Sequence, residues 1–197
     1  MKLLQVLALM TEQMNKNMLE EATRMVLSQI EWDLNREWLK ETPKRVAKAM
    51  EKVFEWYNQD PKDIMTVFEN ESEVDQIVWL SDIEFYSFCE HHMLPFFGKC
   101  SVYYIPWKKI CGISKLARIV NIYARRLQNQ ERLTKQIADC IEKLLQPKWV
   151  AVVMEWKHFC MLARGVEKQN SIMKTSDLRW AFMENEKTRA EFFNLIK

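Results

Sequence analysis

The sequence predicts an α+β fold: an antiparallel sheet of β-β-α-α-β-β order with its helices on one face, behind a helical N-terminal arm. Three observations predict it. Residues 77–106 hold two strand-like runs joined by a polar turn, and residues 113–145 hold two amphipathic helical patterns. From residue 149 the chain returns to a long apolar run, followed by a last strand and a terminal helix. With 197 residues, 48% of them hydrophobic and 28% charged, the composition is globular and sufficient for a buried core.

In the arm, "NKNMLEEATRMVLSQIEW" places Met18, Ala22, Met25, Val26 and Ile30 on one helical face. In "ETPKRVAKAMEKVFEWY", Thr42 is the expected N-cap and Pro43 the first helical residue, with Val46, Met50, Val53 and Phe54 on the buried side. Residues 58–76 are acidic and irregular and read as a connector, although Met65, Val67 and Phe68 need something to pack on. The expected division is therefore 1–75 for the arm and connector and 76–197 for the sheet domain. Within that domain the first helix, from Ile113, buries Leu116, Ala117, Val120, Tyr123, Ala124 and Leu127. The second, after Gln130, buries Leu133, Ile137, Ile141, Leu144 and Leu145.

Composition excludes several classes. A formal charge of +2 gives no global field for nucleic acid or an anionic membrane, so neither is expected as a partner. Five cysteines form no disulfide framework and suit a reducing, cytoplasmic compartment. The start, "MKLLQVLALM", has a short apolar run containing Gln5 and lacks a small-x-small cleavage site, so it does not read as an export signal. No apolar stretch is long enough to span a bilayer.

The chemistry concentrates in one region. All three histidines and all three glycines lie between residues 91 and 165. Cys89-Glu90-His91-His92 puts a thiol, a carboxylate and two imidazoles in one turn. If 149–165 is a continuous strand, alternation puts Trp156, His158, Cys160 and Arg164 on one face. Cys89-x-x-His92 with His158-x-Cys160 is a good zinc set. Four protein ligands would make a closed structural ion, and ordinary packing of small buried thiols is the blandest reading. The five candidates Cys89, His91, His92, His158 and Cys160 exceed what a closed site needs. Three ligands with two imidazoles left for proton transfer fit catalysis better.

Ser114, Lys115 and Arg118 lie at helical spacing in the first turns of a helix, where free N–H groups attract anions. Arg164 and Gly165 strengthen an anion site over a merely solvated basic face. Arg125, Arg126 and Arg132 read as surface or interface charges. Glu131 has the chemistry to accept two parallel N–H bonds from a guanine edge, but its position alone marks it as a helix-start acid.

Taken together, "SFCEHHMLPFFGK", "GISKLARIVNIYARRLQNQERLTKQIA", "HFCMLARGVEKQNS" and "TPKRVAKAM" closely resemble GTP cyclohydrolase I, over roughly residues 33–195. The resemblance implies a tunnelling fold (T-fold) assembled into a toroidal homodecamer with active sites at subunit boundaries. It implies hydrolysis of GTP to formate and 7,8-dihydroneopterin triphosphate, a step that opens folate, biopterin and 7-deazaguanine synthesis alike. Carried onto matching positions, Cys89, His92 and Cys160 would hold Zn2+ and leave a place for water, with attack at C8 of the purine. His91 and His158 would move protons, and Ser114 would assist the later rearrangement and ring closure. Glu131 and Gln130 would anchor guanine, while Lys115, Arg118 and Arg164, with Arg45 and Lys48 from elsewhere in the assembly, would bind the triphosphate. Glu90 would line the pocket. A structural-zinc or inactive nucleotide-binding relative is the alternative. The chain departs from the family pattern at Trp38 and Trp180, where glycine is usual, and at Ala163, Cys100 and Cys111.

Overall fold

The computed structural model describes residues 15–179 together with Ala190 and Phe192. The start "MKLLQVLALM", Trp180 and the rest of the expected terminal helix lie outside the described residues. The chain divides into two compact units, Met1–Asn58 and Gln59–Lys197.

The smaller unit is helical. Helix α1 (Lys16–Ile30) starts at Asn15, whose side chain accepts a hydrogen bond from the Met18 amide at 3.2 Å. A short α2 (Glu37–Lys40) follows, then α3 (Thr42–Val53), which packs on α1. The expected apolar face of α1 is turned the other way. Leu19, Thr23 and Leu27 are half-buried, whereas Met18, Ala22, Met25, Val26 and Ile30 are exposed. One partner helix covers only one edge of a stripe this wide, and the leucine edge is the one it takes. On α3, Glu41 rather than Thr42 is the N-cap. Thr42 is already helical, and its hydroxyl donates to the Trp38 carbonyl. Pro43 and Ala47 are buried there, and Val46, Met50, Val53 and Phe54 half-buried. Trp38 is almost fully exposed at 87%.

In the larger unit the connector is structured. Asp60 caps α4 (Pro61–Ile64), and β1 (Val67–Glu69) pairs antiparallel with β4 (Lys109–Cys111), so residues 59–75 pack with the sheet domain. The main sheet has the order β5-β2-β3-β6-β7, with β2 (Val78–Cys89), β3 (Pro95–Ile105), β6 (Trp149–His158) and β7 (Met173–Leu178) antiparallel. A two-residue strand, β5 (Leu127–Gln128), adds to the edge of β2 in parallel. A register shift in β2 between Leu80 and Ile83 coincides with left-handed Asp82, φ 56°.

Helices α5 (Ile113–Ala124) and α6 (Gln130–Leu145) cover one face of this sheet. Beneath them alternate strand residues form the core, among them Phe85, Phe96, Val102, Val152, Met154 and Trp156, against Leu116, Val120, Leu133, Ile137 and Ile141. Ala117, Tyr123, Leu127 and Leu144, expected inside, are half-buried at the rim. Phe192 packs on the opposite face against Tyr103 and Trp149.

One expected strand is shorter than its apolar run. β6 stops at His158, and the next four residues form a helical turn, α7 (Phe159–Leu162). Nothing in Phe159-Cys160-Met161-Leu162 opposes a helix. Gly165 turns the chain soon afterwards at φ +68°, a conformation glycine adopts without strain. Strand alternation therefore does not extend to Cys160 or Arg164.

Candidate metal centre and its surroundings

Cys89 is the last residue of β2, buried at 6% exposure. Its amide donates to the Leu94 carbonyl at 2.9 Å, and its own carbonyl accepts from His92 at 3.2 Å and Met93 at 2.7 Å. Met93 sits in the left-handed region at φ 53°. This tight turn brings His92 Nδ1 within 3.6 Å of Cys89 Sγ and turns His91 away, with the two rings edge-on at 90°.

Cys160 arrives from the other side on α7. The ligand atoms of Cys89, His92 and Cys160 all lie within 4.8 Å of one another, and this is the one such group of His, Cys and acidic side chains among the described residues. The helical turn, not strand alternation, delivers Cys160. Burial, and then the neighbouring Cys89, push the Cys160 thiol up, which leaves a thiol pair that a cation would relieve. The donor set fits zinc: two sulfurs and an imidazole are its usual ligands, and ligand atoms around tetrahedral zinc lie roughly 3.5–3.8 Å apart. His91 and His158 stand outside the group.

His158 ends β6 half-buried. Its ring stacks on Phe96 at 4.7 Å and 19°, with Trp156 edge-on at 5.9 Å. Its Nε2 is 3.0 Å from Gln130 Oε1. If the amide oxygen is the acceptor, Nε2 carries the proton and Nδ1 is the free base. Burial lowers the His158 pKa, opposed by the charge of nearby Glu131, so the imidazole is held neutral. Gln130 is 2% exposed, and its Nε2 has no partner, a buried donor awaiting an acceptor. A cavity of about 190 Å³ opens beside His158, lined by Trp156, Met161, Leu162, Ser171, Ile172 and Met173.

The turn and α6 are joined by side chains. Glu90 Oε1 accepts from Asn129 Nδ2 at 2.9 Å and Oε2 from Arg132 at 2.5 Å. Arg132, then Asn129, hold its carboxyl below the usual range. Asn129 Oδ1 in turn caps α6 by accepting from the Arg132 amide at 2.9 Å. Glu90 is thus engaged by protein donors on both oxygens. Arg132, read from sequence as a surface or interface charge, is half-buried in this network. Its signal was available as the third residue of α6 beside Gln130 and Glu131, but the partner is distant in sequence.

The remaining candidates are placed as follows. Ser114 and Arg118 are exposed and Lys115 half-buried on the first turns of α5, after the Gly112 N-cap. Glu131 is exposed in the first turn of α6, and Arg164 is exposed after α7, near enough to Cys160 to favour its thiolate. Arg45 and Lys48 lie exposed on α3 in the smaller unit, with Arg45 donating to the Trp38 carbonyl at 3.3 Å. Cys100 is fully buried in the core, and Cys111 contacts the Tyr104 hydroxyl at 3.9 Å. Both have thiols raised by burial, and neither touches the three-donor group.

An α+β domain with a Cys–His–Cys group that could hold a metal ion, an adjacent neutral imidazole and an unpaired buried amide has the parts a hydrolytic enzyme needs. The sequence profile of GTP cyclohydrolase I matches residues 19–197, and the chain belongs to that family of enzymes. It is 53% identical over 180 residues to the GTP cyclohydrolase 1 of Wolinella succinogenes, covering 91% of this chain and 96% of the relative. With that of Sulfurihydrogenibium sp. it shares 54% over 182 residues, covering 92% and 95%. With that of Methylococcus capsulatus it shares 50% over 182 residues, covering 91% and 97%. Among the described residues no helix is long and apolar enough to cross a membrane.

Proposed function

We propose that this protein hydrolyses GTP to formate and 7,8-dihydroneopterin triphosphate, with Zn2+ held by Cys89, His92 and Cys160. The observation that carries the reading is the three-donor group, which stops one ligand short of a closed site and leaves His91 and His158 over. Zinc, when bound, supplies the Lewis acidity that activates water at neutral pH. His158, neutral and oriented by Gln130, takes a proton, and the exposed His91 exchanges protons with solvent during the two hydrolytic steps that release formate. Gln130 offers its unpaired Nε2 to an acceptor on the guanine, and Glu131 accepts from the N1–H and 2-amino edge. Ser114 serves the ribose during rearrangement. Lys115, Arg118 and Arg164 bind the triphosphate, with Arg45 and Lys48 contributing from another part of the assembly.

The assembly proposed is a homodecamer of T-fold domains, residues 76–197, behind arms and connectors of residues 1–75, with the sites at subunit boundaries. Its location is the cytoplasm. The exposed apolar edge of α1, Met18, Met25, Val26 and Ile30, supports burial against another copy. The test is to incubate metal-replete protein with GTP and measure formate and, after oxidation, a fluorescent pterin. His91→Ala should keep one zinc per chain and the wild-type thermal midpoint while losing formate release by about 10²–10⁴-fold. No product from assembled, zinc-loaded wild-type protein would sink the proposal.

A further inference from the structure

We infer that Arg132 is a positioning residue for this reaction: acting through Glu90, it sets the metal-ligand turn against the substrate-facing start of α6. The inference rests on the reading above for which residues meet substrate, and on observed contacts for the clamp itself. Arg132 Nη2 donates to Glu90 Oε2 at 2.5 Å and to the Leu127 carbonyl at 3.1 Å, while its Nε donates to Gln128 Oε1 at 2.9 Å. Gln128 is itself fixed, its Nε2 donating to Gln136 Oε1 and the Tyr123 carbonyl, both at 2.8 Å. The Glu90 amide donates to the Gln128 carbonyl at 3.0 Å, beside the pairing of Cys89 with Gln128.

Glu90 lies between ligand Cys89 and the two histidines, and Arg132 follows Gln130 and Glu131 directly. One ion pair thus ties the ligand-bearing turn to the pair of residues assigned to guanine. Arg132 has committed these donors to the protein, so it is not a free cation for phosphate. The planar guanidinium is required because one ammonium cannot reach Glu90, Gln128 and Leu127 together. A hydrolytic site tolerates little error between activated water and purine, and a misplacement of about 1 Å can cost about 10²-fold.

The experiment compares Arg132→Gln, Glu90→Gln and the double variant in the full-length protein, reading kcat and KM for GTP, zinc content, and the visible spectrum of cobalt-substituted protein. Each single variant should bind metal and lose about 10²-fold in kcat with little change in KM. The cobalt bands should shift alike in both, and the double variant should be no worse than the worse single one. Arg132→Lys should fold and keep the Glu90 pair yet recover only part of kcat, which guards against misfolding of the glutamine variant. A kcat for Arg132→Gln within about twofold of wild type with unchanged cobalt bands would overturn the inference, as would single losses that multiply in the double variant. Wild-type protein that makes no formate would defeat the cyclohydrolase reading instead, and the cobalt bands would still decide the clamp.

Discussion

The turn that carries Cys89 and His92 is held by hydrogen bonds, whereas the β6–α7 junction that carries His158 and Cys160 is held by packing. In the turn, Glu90 meets Asn129 and Arg132, the Glu90 amide meets Gln128, and backbone bonds at Cys89 close the loop. At the junction, Phe96 lies flat on His158 and meets Trp156 edge-on at 5.1 Å, and among the described residues Gln130 is the polar side chain bonded to the imidazole. A turn must satisfy many backbone groups, so polar partners fix it; a strand end already has its ladder, so ring packing suffices to aim it. The site is therefore supported in two different ways, and substitutions should fail in two different ways.

The largest effect expected is common to both supports. Cys89→Ala and Cys160→Ala should each abolish zinc retention, measured by metal analysis after gel filtration, and lower formate release by roughly 10³-fold or more. A Cys160→Ala variant that kept its zinc would break the pairing of the two segments. Next, Phe96→Ala should destabilise the fold by about 3–5 kcal/mol, because a fully buried ring is lost from beneath His158. Chemical denaturation checks it, and a loss under about 1 kcal/mol would remove packing as the support of the junction.

Gln130→Leu separates stability from activity. It removes a buried amide whose nitrogen is unpaired, so stability should change by no more than about 1 kcal/mol. Formate release should still fall about 10–10²-fold, because the imidazole loses its orienting acceptor. The smallest effect concerns pH. Arg132 and Asn129 lower the Glu90 pKa, so its contribution is fully present above the ordinary glutamate value, about 4.3, and is lost as pH falls through the lower folded value. The thermal midpoint of metal-free protein should therefore fall on acidification through this window, with a shallower slope in Glu90→Gln. The junction has no such carboxylate tether; there burial lowers the His158 pKa, so its own loss on acidification begins higher, below the ordinary histidine value of about 6.5.

The legibility of the site follows the same division. The Cys89-x-x-His92 turn was readable because a turn is local: its residues are neighbours in sequence and in space. The junction misled in part. "VAVVMEWKHFCMLAR" carries a strand pattern throughout, and the switch to helix at Phe159 depends on where β3 ceases to offer partners, its pairing ending at Phe96 opposite His158. Arg132 reads from sequence as a surface or interface charge because its partner is 42 positions away. The five apolar residues of α1 do share one face, but periodicity gives a face and not which of its edges a single neighbour covers.

By itself, the sequence determined the class of fold, the element order, the ligand types and the motifs that place the chain in its family. These are encoded in side-chain chemistry and in periods of two and 3.6 residues, which act locally. Only the tertiary structure decided that three of the five candidate ligands converge, that His158 is turned to Gln130, and that Glu90 is occupied by Arg132. Those outcomes depend on β2, β6 and α6 meeting at one end of the sheet. No local rule fixes such distances between segments so far apart along the chain.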